Sequence, residues 1–244
     1  MLNKLLFWKK QNIIEFYCHP DHFGVIPEPK MAAKDSPKWF KKLGLVTEDG
    51  HRDNFGAPAQ TAKHCKPLVD AFSCGFTIHT AGDVRIQTNH DCSKIVVTNP
   101  PILKVVEFHM SSQVGGNSSL KKNHGDPLKF INYWNIKTAP GWSTLFIPPV
   151  NNFELPFTCL SGMVDTDLYD RTVNFPAIWH IPNYDGTIPA GTPLVTAIPI
   201  KRKSFNKRPI VRKMTNQEFH AAEKTALIQQ TRNHYYTENI WVKK

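Results

Sequence analysis

Two carboxylates stand two residues apart in Val164-Asp165-Thr166-Asp167, with a phenol close behind at Tyr169. On a regular strand, side chains at i and i+2 share a face. Asp165 and Asp167 on one face would suit a divalent cation such as Mg²⁺, or would activate a water, with Tyr169 completing a catalytic set. The same spacing also fits a strand-end turn, in which aspartate side chains accept backbone N–H groups.

Histidines supply two further patterns. His124-Gly125-Asp126, with His180 farther on, has the spacing of a two-histidine, one-carboxylate iron site on a jelly roll. Such oxygenases place a substrate-binding cation after the last histidine, and residues 181–200 contain no Lys or Arg. His19-Pro20-Asp21-His22 offers three potential ligands in four residues, with no identifiable fourth. No nucleophile–histidine–acid triad, phosphate-binding glycine loop or dinucleotide fingerprint occurs in a usable context. The expectation is a chain without a cofactor, with Fe or Mg as the alternative.

Charge gives a third pattern. The chain carries a net charge of +10. Seven basic residues, Lys201, Arg202, Lys203, Lys207, Arg208, Arg212 and Lys213, fall in KRKSFNKRPIVRK with no acid among them. Such a run is either a solvated surface or a contact for nucleic acid or an acidic partner subunit. Five cysteines, an odd number without a CxxC, read as reduced thiols. No apolar run approaches a membrane span, and MLNKLLFWKKQN is too short for a signal sequence. The expected setting is a cytoplasm, with no membrane partner.

The elements that must position these groups are mostly strands. In 244 residues there are 19 prolines, many of them beside apolar runs, which predicts short strands joined by Pro turns. Strands are expected over 12–17, 73–80, 83–87, 94–98, 105–109, 133–138, 142–147, 157–164, 172–181 and 194–200. Pro189-Ala190-Gly191-Thr192-Pro193 is a turn with a mechanism, since Pro presets φ and Gly191 can take φ > 0. Pro37 to Leu43 allows one or two helical turns. Residues 47–62 and 111–127 read as loops. Thr215 with Glu218 forms a capping box ahead of one clear helix, followed by an aromatic tail, Tyr235, Tyr236, Ile240 and Trp241. The helix or the tail is expected to dock on the strand body or a neighbouring subunit. The fold class is all-β, a β-clip or jelly-roll-like barrel or sandwich with an N-terminal arm and one C-terminal helix. The expected divisions are 1–64 (arm and irregular segment), 65–203 (β core) and 204–244 (basic linker, helix and tail).

Two resemblances rest on these residues. Gly75 to Ile86 (GFTIHTAGDVRI), Pro140-Gly141-Trp142, Ser161 to Tyr169 and Ile188 to Ile200 follow the motif order of the dUTPase and dCTP-deaminase β-clip fold, which the chain resembles. The family's Gly-x-Ile-Asp hairpin corresponds to Gly162-Met163-Val164-Asp165, and its Gly-Asp-x-Ile-Ala-Gln strand to Gly191 through Thr196. The departures fall at the chemistry. Thr77 stands where the family has an acid, and Pro148-Pro149-Val150-Asn151 replaces the phosphate-binding Pro-Arg-Ser-Ser. Tyr169 falls one residue late, and a basic run and helix replace the Gly-rich flap. The resemblance therefore implies the fold more than triphosphate hydrolysis. Secondly, Trp134 to Arg202 is similar in its order of motifs to a protein family of tailed phages, cyanophages among them, and of some bacteria. That resemblance implies a viral source and brings no catalytic residues with it.

The expectation is a phage-encoded, non-catalytic binding and assembly protein, a structural component of the virion. It would be made in the host cytoplasm and would meet other phage structural subunits or copies of itself. One alternative is a small-molecule enzyme or binder on a dUTPase-like or metal-dependent jelly-roll scaffold. The other is a nucleic-acid-binding accessory protein acting through Lys201–Lys213.

Overall fold

Alternation of buried and exposed residues along short segments is what makes this chain fold as strands. Ile14–Tyr17 and Asn135–Thr138 alternate strictly, and Val84–Thr88 buries Val84 and Ile86 while Arg85 and Gln87 face out. The structure, a computed structural model, describes residues 13–114, 126–205, 208–232 and 234–243. The expected N-terminal arm, residues 1–8, lies outside the described residues.

Among the described residues, fourteen strands form four antiparallel sheets. They are β1 (Ile14–Tyr17), β2 (Lys30–Met31), β3 (Phe76–His79), β4 (Val84–Thr88), β5 (Ile95–Thr98), β6 (Val106–Phe108) and β7 (Leu128–Phe130). There follow β8 (Asn135–Thr138), β9 (Trp142–Ile147), β10 (Phe157–Cys159), β11 (Gly162–Val164), β12 (Phe175–Trp179), β13 (Asp185–Ile188) and β14 (Pro193–Lys201). The largest sheet has the order β11-β9-β14-β3-β2 and the next β10-β12-β7-β6; β13-β4-β5 and β1-β8 complete the set. The chain is mainly β, with one long C-terminal helix, as its turn-rich alternation predicts.

One apolar cluster draws on all four sheets. Ile78, Val84, Ile86, Leu128, Phe130, Ile136, Phe146, Phe157, Phe175, Trp179, Leu194 and Val195 are all buried in it. Each such side chain contributes about 1.5–3 kcal/mol by leaving water. Phe130 and Phe157 meet at 4.6 Å between ring centres, and Phe157 stacks toward Trp179 at 6.5 Å. β12 supplies both faces of this packing, with Phe175, Ala177, Ile178 and Trp179 all buried.

The divisions differ from those expected at 64/65 and 203/204. Of the described residues, 13–37 and 74–205 make one compact unit, and 38–73 with 208–243 make the other. The strand expected over 12–17 is present as β1, which pairs with β8 from Ile14↔Thr138 to Tyr17↔Asn135, and β2, in the segment expected to be irregular, pairs with β3. Residues 157–164, expected as one strand, divide at Leu160-Ser161, so that β10 and β11 serve different sheets.

The second unit holds the short helices α1 (Lys38–Lys42) and α2 (Lys66–Phe72), the long helix α3 (Asn216–Thr231) and α4 (Tyr235–Asn239). α2 lies just past Cys65, where the β pattern was expected to begin; Pro67 in its first turn leaves no N–H unsatisfied. Phe40 packs on Phe72 at 4.5 Å, and Trp39 meets the same ring at 6.1 Å. The aromatic tail packs on α2. The Trp241 indole N–H donates to Asp70 Oδ2 at 3.0 Å, and Lys66 Nζ lies 5.1 Å from the Trp241 ring centre. The capping box at Thr215 forms with both of its reciprocal bonds.

Two glycines separate backbone need from side-chain space. Gly75 (φ +82°) leads into β3, and a Cβ there would lie 2.4 Å from the Ala197 carbonyl oxygen of β14. Gly191 (φ +81°) has nothing within 4 Å of its virtual Cβ. Gly75→Ala is expected to destabilise by about 3 kcal/mol and Gly191→Ala by about 1 kcal/mol, read from urea midpoints.

Candidate functional site

Asp165 and Asp167 do converge, and the group they converge on is a guanidinium. β11 ends at Val164, and the chain turns at once: the Leu168 and Tyr169 amides both donate to the Asp165 carbonyl, at 2.9 and 2.8 Å. Arg202 follows immediately on β14, whose last residue, Lys201, pairs with Trp142 at the start of β9. Its guanidinium grips Asp167 through two parallel bonds, Nη1 to Oδ1 at 2.6 Å and Nη2 to Oδ2 at 2.5 Å. Nη1 also lies 3.2 Å from Asp165 Oδ1. Asp167 Oδ2 accepts the Gly141 amide at 2.8 Å, and Asp165 Oδ1 accepts the Ser143 hydroxyl at 2.6 Å. The Asp167 side chain is 6% exposed.

In this arrangement the two carboxylates of the expected catalytic set of Asp165, Asp167 and Tyr169 are bonded to Arg202. Both oxygens of Asp167 are engaged, and one oxygen of Asp165 is shared between an alcohol and a cation. Tyr169 is half-exposed, held in the turn by its backbone. Of the two readings of the Asp-x-Asp spacing, the strand-end turn is the one adopted. Below the clamp lies a hydroxyl cluster. Thr166 Oγ1 sits 2.8 Å from Thr138 Oγ1 and 2.7 Å from Thr144 Oγ1, and Thr138 Oγ1 donates to the Trp142 carbonyl at 3.0 Å. All three threonines are buried. Nothing local in the sequence marks Arg202 as the partner of Asp167, since 35 residues separate them.

The remaining candidates are dispersed. Lys201, Lys203, Arg208 and Lys213 are exposed, Arg202 is in the clamp, and Arg212 is paired with Glu218 by two bonds of 2.7 and 2.5 Å. Lys207 lies outside the described residues. The run therefore offers fewer uncompensated cations than its composition suggests. His124 also lies outside the described residues; Asp126 is exposed, and His180 Nε2 bonds to Thr158 Oγ1 at 2.7 Å. His19 Nδ1 and Asp21 Oδ2 are 3.4 Å apart, while the His22 ring packs edge-on against Tyr133 at 4.6 Å. Among the described residues, no group of three or more His, Cys, Asp or Glu side chains gathers at metal-binding spacing. All five cysteines are free thiols, and burial pushes the Cys159 thiol up. No helix of the described residues is long and apolar enough to cross a membrane.

A second contact of a carboxylate with a buried side chain has no marker in the sequence. His79 Nε2 on β3 lies 2.9 Å from Asp35 Oδ2, and the His79 side chain is 1% exposed. The pair fastens the 3₁₀ turn Ala32–Asp35 to β3, beside the Ala32 amide bond to the Gly75 carbonyl. His79 Nδ1 is buried without a partner among the described residues. Burial opposes ionisation of Asp35. Hydrogen bonds from His79 and Thr77, with the His79 and Lys30 charges, still hold its carboxyl below the ordinary 3.8.

No family model matches this chain, and neither does any curated protein.

Depressed carboxyls stabilise above their unfolded pKa, and that stabilisation is lost as pH falls through the lower folded value. Asp35 shows this behaviour, and so does Asp167, which is held low first by the Arg202 bonds and then by the Gly141 amide. Both contributions are complete above about pH 5 and are lost progressively as pH falls through the depressed folded values. Asp167→Asn is expected to flatten the acid limb of the urea midpoint against pH. Asp167→Ala is expected to lower stability at pH 7 by about 2 kcal/mol; a fully buried pair would lose more, but Arg202 is still 32% exposed. Lys203→Met, outside the clamp, is expected to leave the midpoint in place.

Proposed function

We propose that this chain is a non-catalytic assembly protein that associates with copies of itself through its C-terminal arm, as a structural component of a tailed-phage particle. The observation that carries this reading is the state of α3. None of its sixteen residues is buried. A lone helix of this length is marginal in water, because tertiary packing normally supplies most of its stability. The capping box and the Arg212–Glu218 pair secure its first turn, and neither covers its sides.

The segment leading into the helix needs a cover even more. Ile210 is 90% exposed, Val211 91% and Met214 65%, in an extended stretch without strand partners. Phe219 and Leu227 continue the apolar surface along α3. Exposed apolar groups in this concentration mark a surface that another protein covers. The strand unit offers places for an extended segment of a second copy, because among the described residues β11, β2 and β10 each pair with a strand on one side only. The occupied carboxylates at Asp165 and Asp167 support the non-catalytic part of the reading. The similarity of Trp134–Arg202 to tailed-phage proteins supports a virion as the assembly.

Light scattering on the full chain is expected to give an oligomer that dissociates on dilution. Ile210→Asp with Val211→Asp is expected to yield a folded monomer, since both side chains lie in solvent in the single chain. A wild-type chain that is monomeric at every concentration would refute self-assembly.

A further inference from the structure

The second unit combines a concentrated positive charge with two concave clefts, each lined in part by aromatic side chains. Residues 38–73 and 206–244 hold fourteen Lys and Arg against seven Asp and Glu, so a net +7 of the chain's +10 belongs to them. One cleft, of about 410 Å³, is lined by Trp39, Lys42, Leu43, Val46 and Glu48, among others. It forms because α1 turns Trp39 toward the ladder that joins Val46 to Gln60, where the Thr61 hydroxyl closes on the Gly44 carbonyl at 2.5 Å. Lys38 and Lys41 flank Trp39 and Phe40 on the same helix. The other cleft, of about 350 Å³, is lined by Phe55, Gln229, Arg232, His234, Tyr235 and Tyr236. It lies at the junction of α3 and α4, where His234 takes a left-handed backbone (φ +64°) and so sends the chain into Tyr235.

Each cleft pairs an aromatic surface with a cation and a side chain able to hydrogen-bond a base edge: Trp39, Lys42 and Glu48 in the first, Tyr235, Arg232 and Gln229 in the second. A flat heteroaromatic ring stacks on an aromatic side chain, and its attached phosphate meets the cation. A duplex keeps its bases stacked on one another, so a concave aromatic cleft receives only a base turned out of the stack. Two such clefts on a unit of high positive charge fit a polymer more than a single nucleotide, because a polyanion gains from every counterion it releases.

We infer that the second unit binds single-stranded nucleic acid, seating one base on Trp39 and another on Tyr235, with the backbone drawn by Lys42, Arg232 and the surrounding lysines. Four of the unit's fourteen cations, Lys207, Arg208, Arg212 and Lys213, come from the Lys201–Lys213 run, while neither cleft is lined by that run; the inference does not rest on self-assembly.

The test is fluorescence anisotropy of a labelled oligothymidylate of about 20 nucleotides with the full chain. Binding is expected at about 50 mM salt and is expected to weaken steeply as salt rises. Trp39→Ala and Tyr235→Ala are each expected to weaken it about tenfold. Lys42→Glu with Arg232→Glu, which changes no aromatic packing, is expected to abolish it and serves if Trp39→Ala fails to fold. No binding at low salt would overturn the proposal. So would equal affinity for a duplex of the same length, or an affinity unchanged in the Trp39→Ala, Tyr235→Ala double variant, because charge alone would then account for binding. A thymidine mononucleotide that bound as tightly as the oligomer would overturn it as well.

Discussion

The strand unit depends on the bidentate bond between Arg202 and Asp167. It joins the residue that follows β14 to a turn 35 residues earlier. It also ties three strands together, because the Arg202 amide donates to Gly141 at 3.0 Å while the Gly141 amide donates to Asp167. The ends of β14, β9 and β11 are thereby closed by one cation and two anions. A planar guanidinium suits this task because its fork matches both carboxylate oxygens at once, which an ammonium cannot do. The same bonds that fasten the turn occupy both carboxylate oxygens of Asp167.

Much of the fold was legible in the sequence because strand burial writes itself as alternation. β1, β4, β5 and β8 follow that period; β9 and β14 do not, and were readable as apolar runs bounded by Pro and Gly turns, the Pro189–Pro193 turn itself from its proline and Gly191. β2 was not, since two residues hold no period; β7 follows directly on a loop-like run and β13 opens on Asp185-Gly186, both of which read as turn composition. α2 was hidden for a related reason: seven residues, one of them Pro67, show no helical period. The capping box made α3 readable even without a strong apolar stripe, because a cap is a local interaction between Thr215 and Glu218.

The candidate site was legible only as an inventory. Asp165, Asp167 and Arg202 all drew notice by type, two as acids and one as part of a basic run. Their pairing was invisible, because it arises from register between strands distant in the chain. The Asp35–His79 bond, 44 residues apart, is hidden in the same way. Charge counted along a sequence ignores who faces whom, which is why the basic run looked richer in available cations than it is. The aromatic residues of the second unit show the converse. Trp39 and Tyr235 are far apart in sequence, and only the fold shows that each lines a cleft together with the cation three residues away, Lys42 and Arg232.

The buried threonines carry a consequence of their own. Each hydroxyl has one proton. Thr138 places its proton on the Trp142 carbonyl, so in its contact with Thr166 it is the acceptor. Thr166 therefore donates to Thr138 and must accept from Thr144. The three hydroxyls have a single permitted order, running from β9 through the turn to β8 and back to the first carbonyl of β9. No hydroxyl in this relay rotates without leaving a bond unmade, so the dipoles beneath the clamp are frozen into one direction.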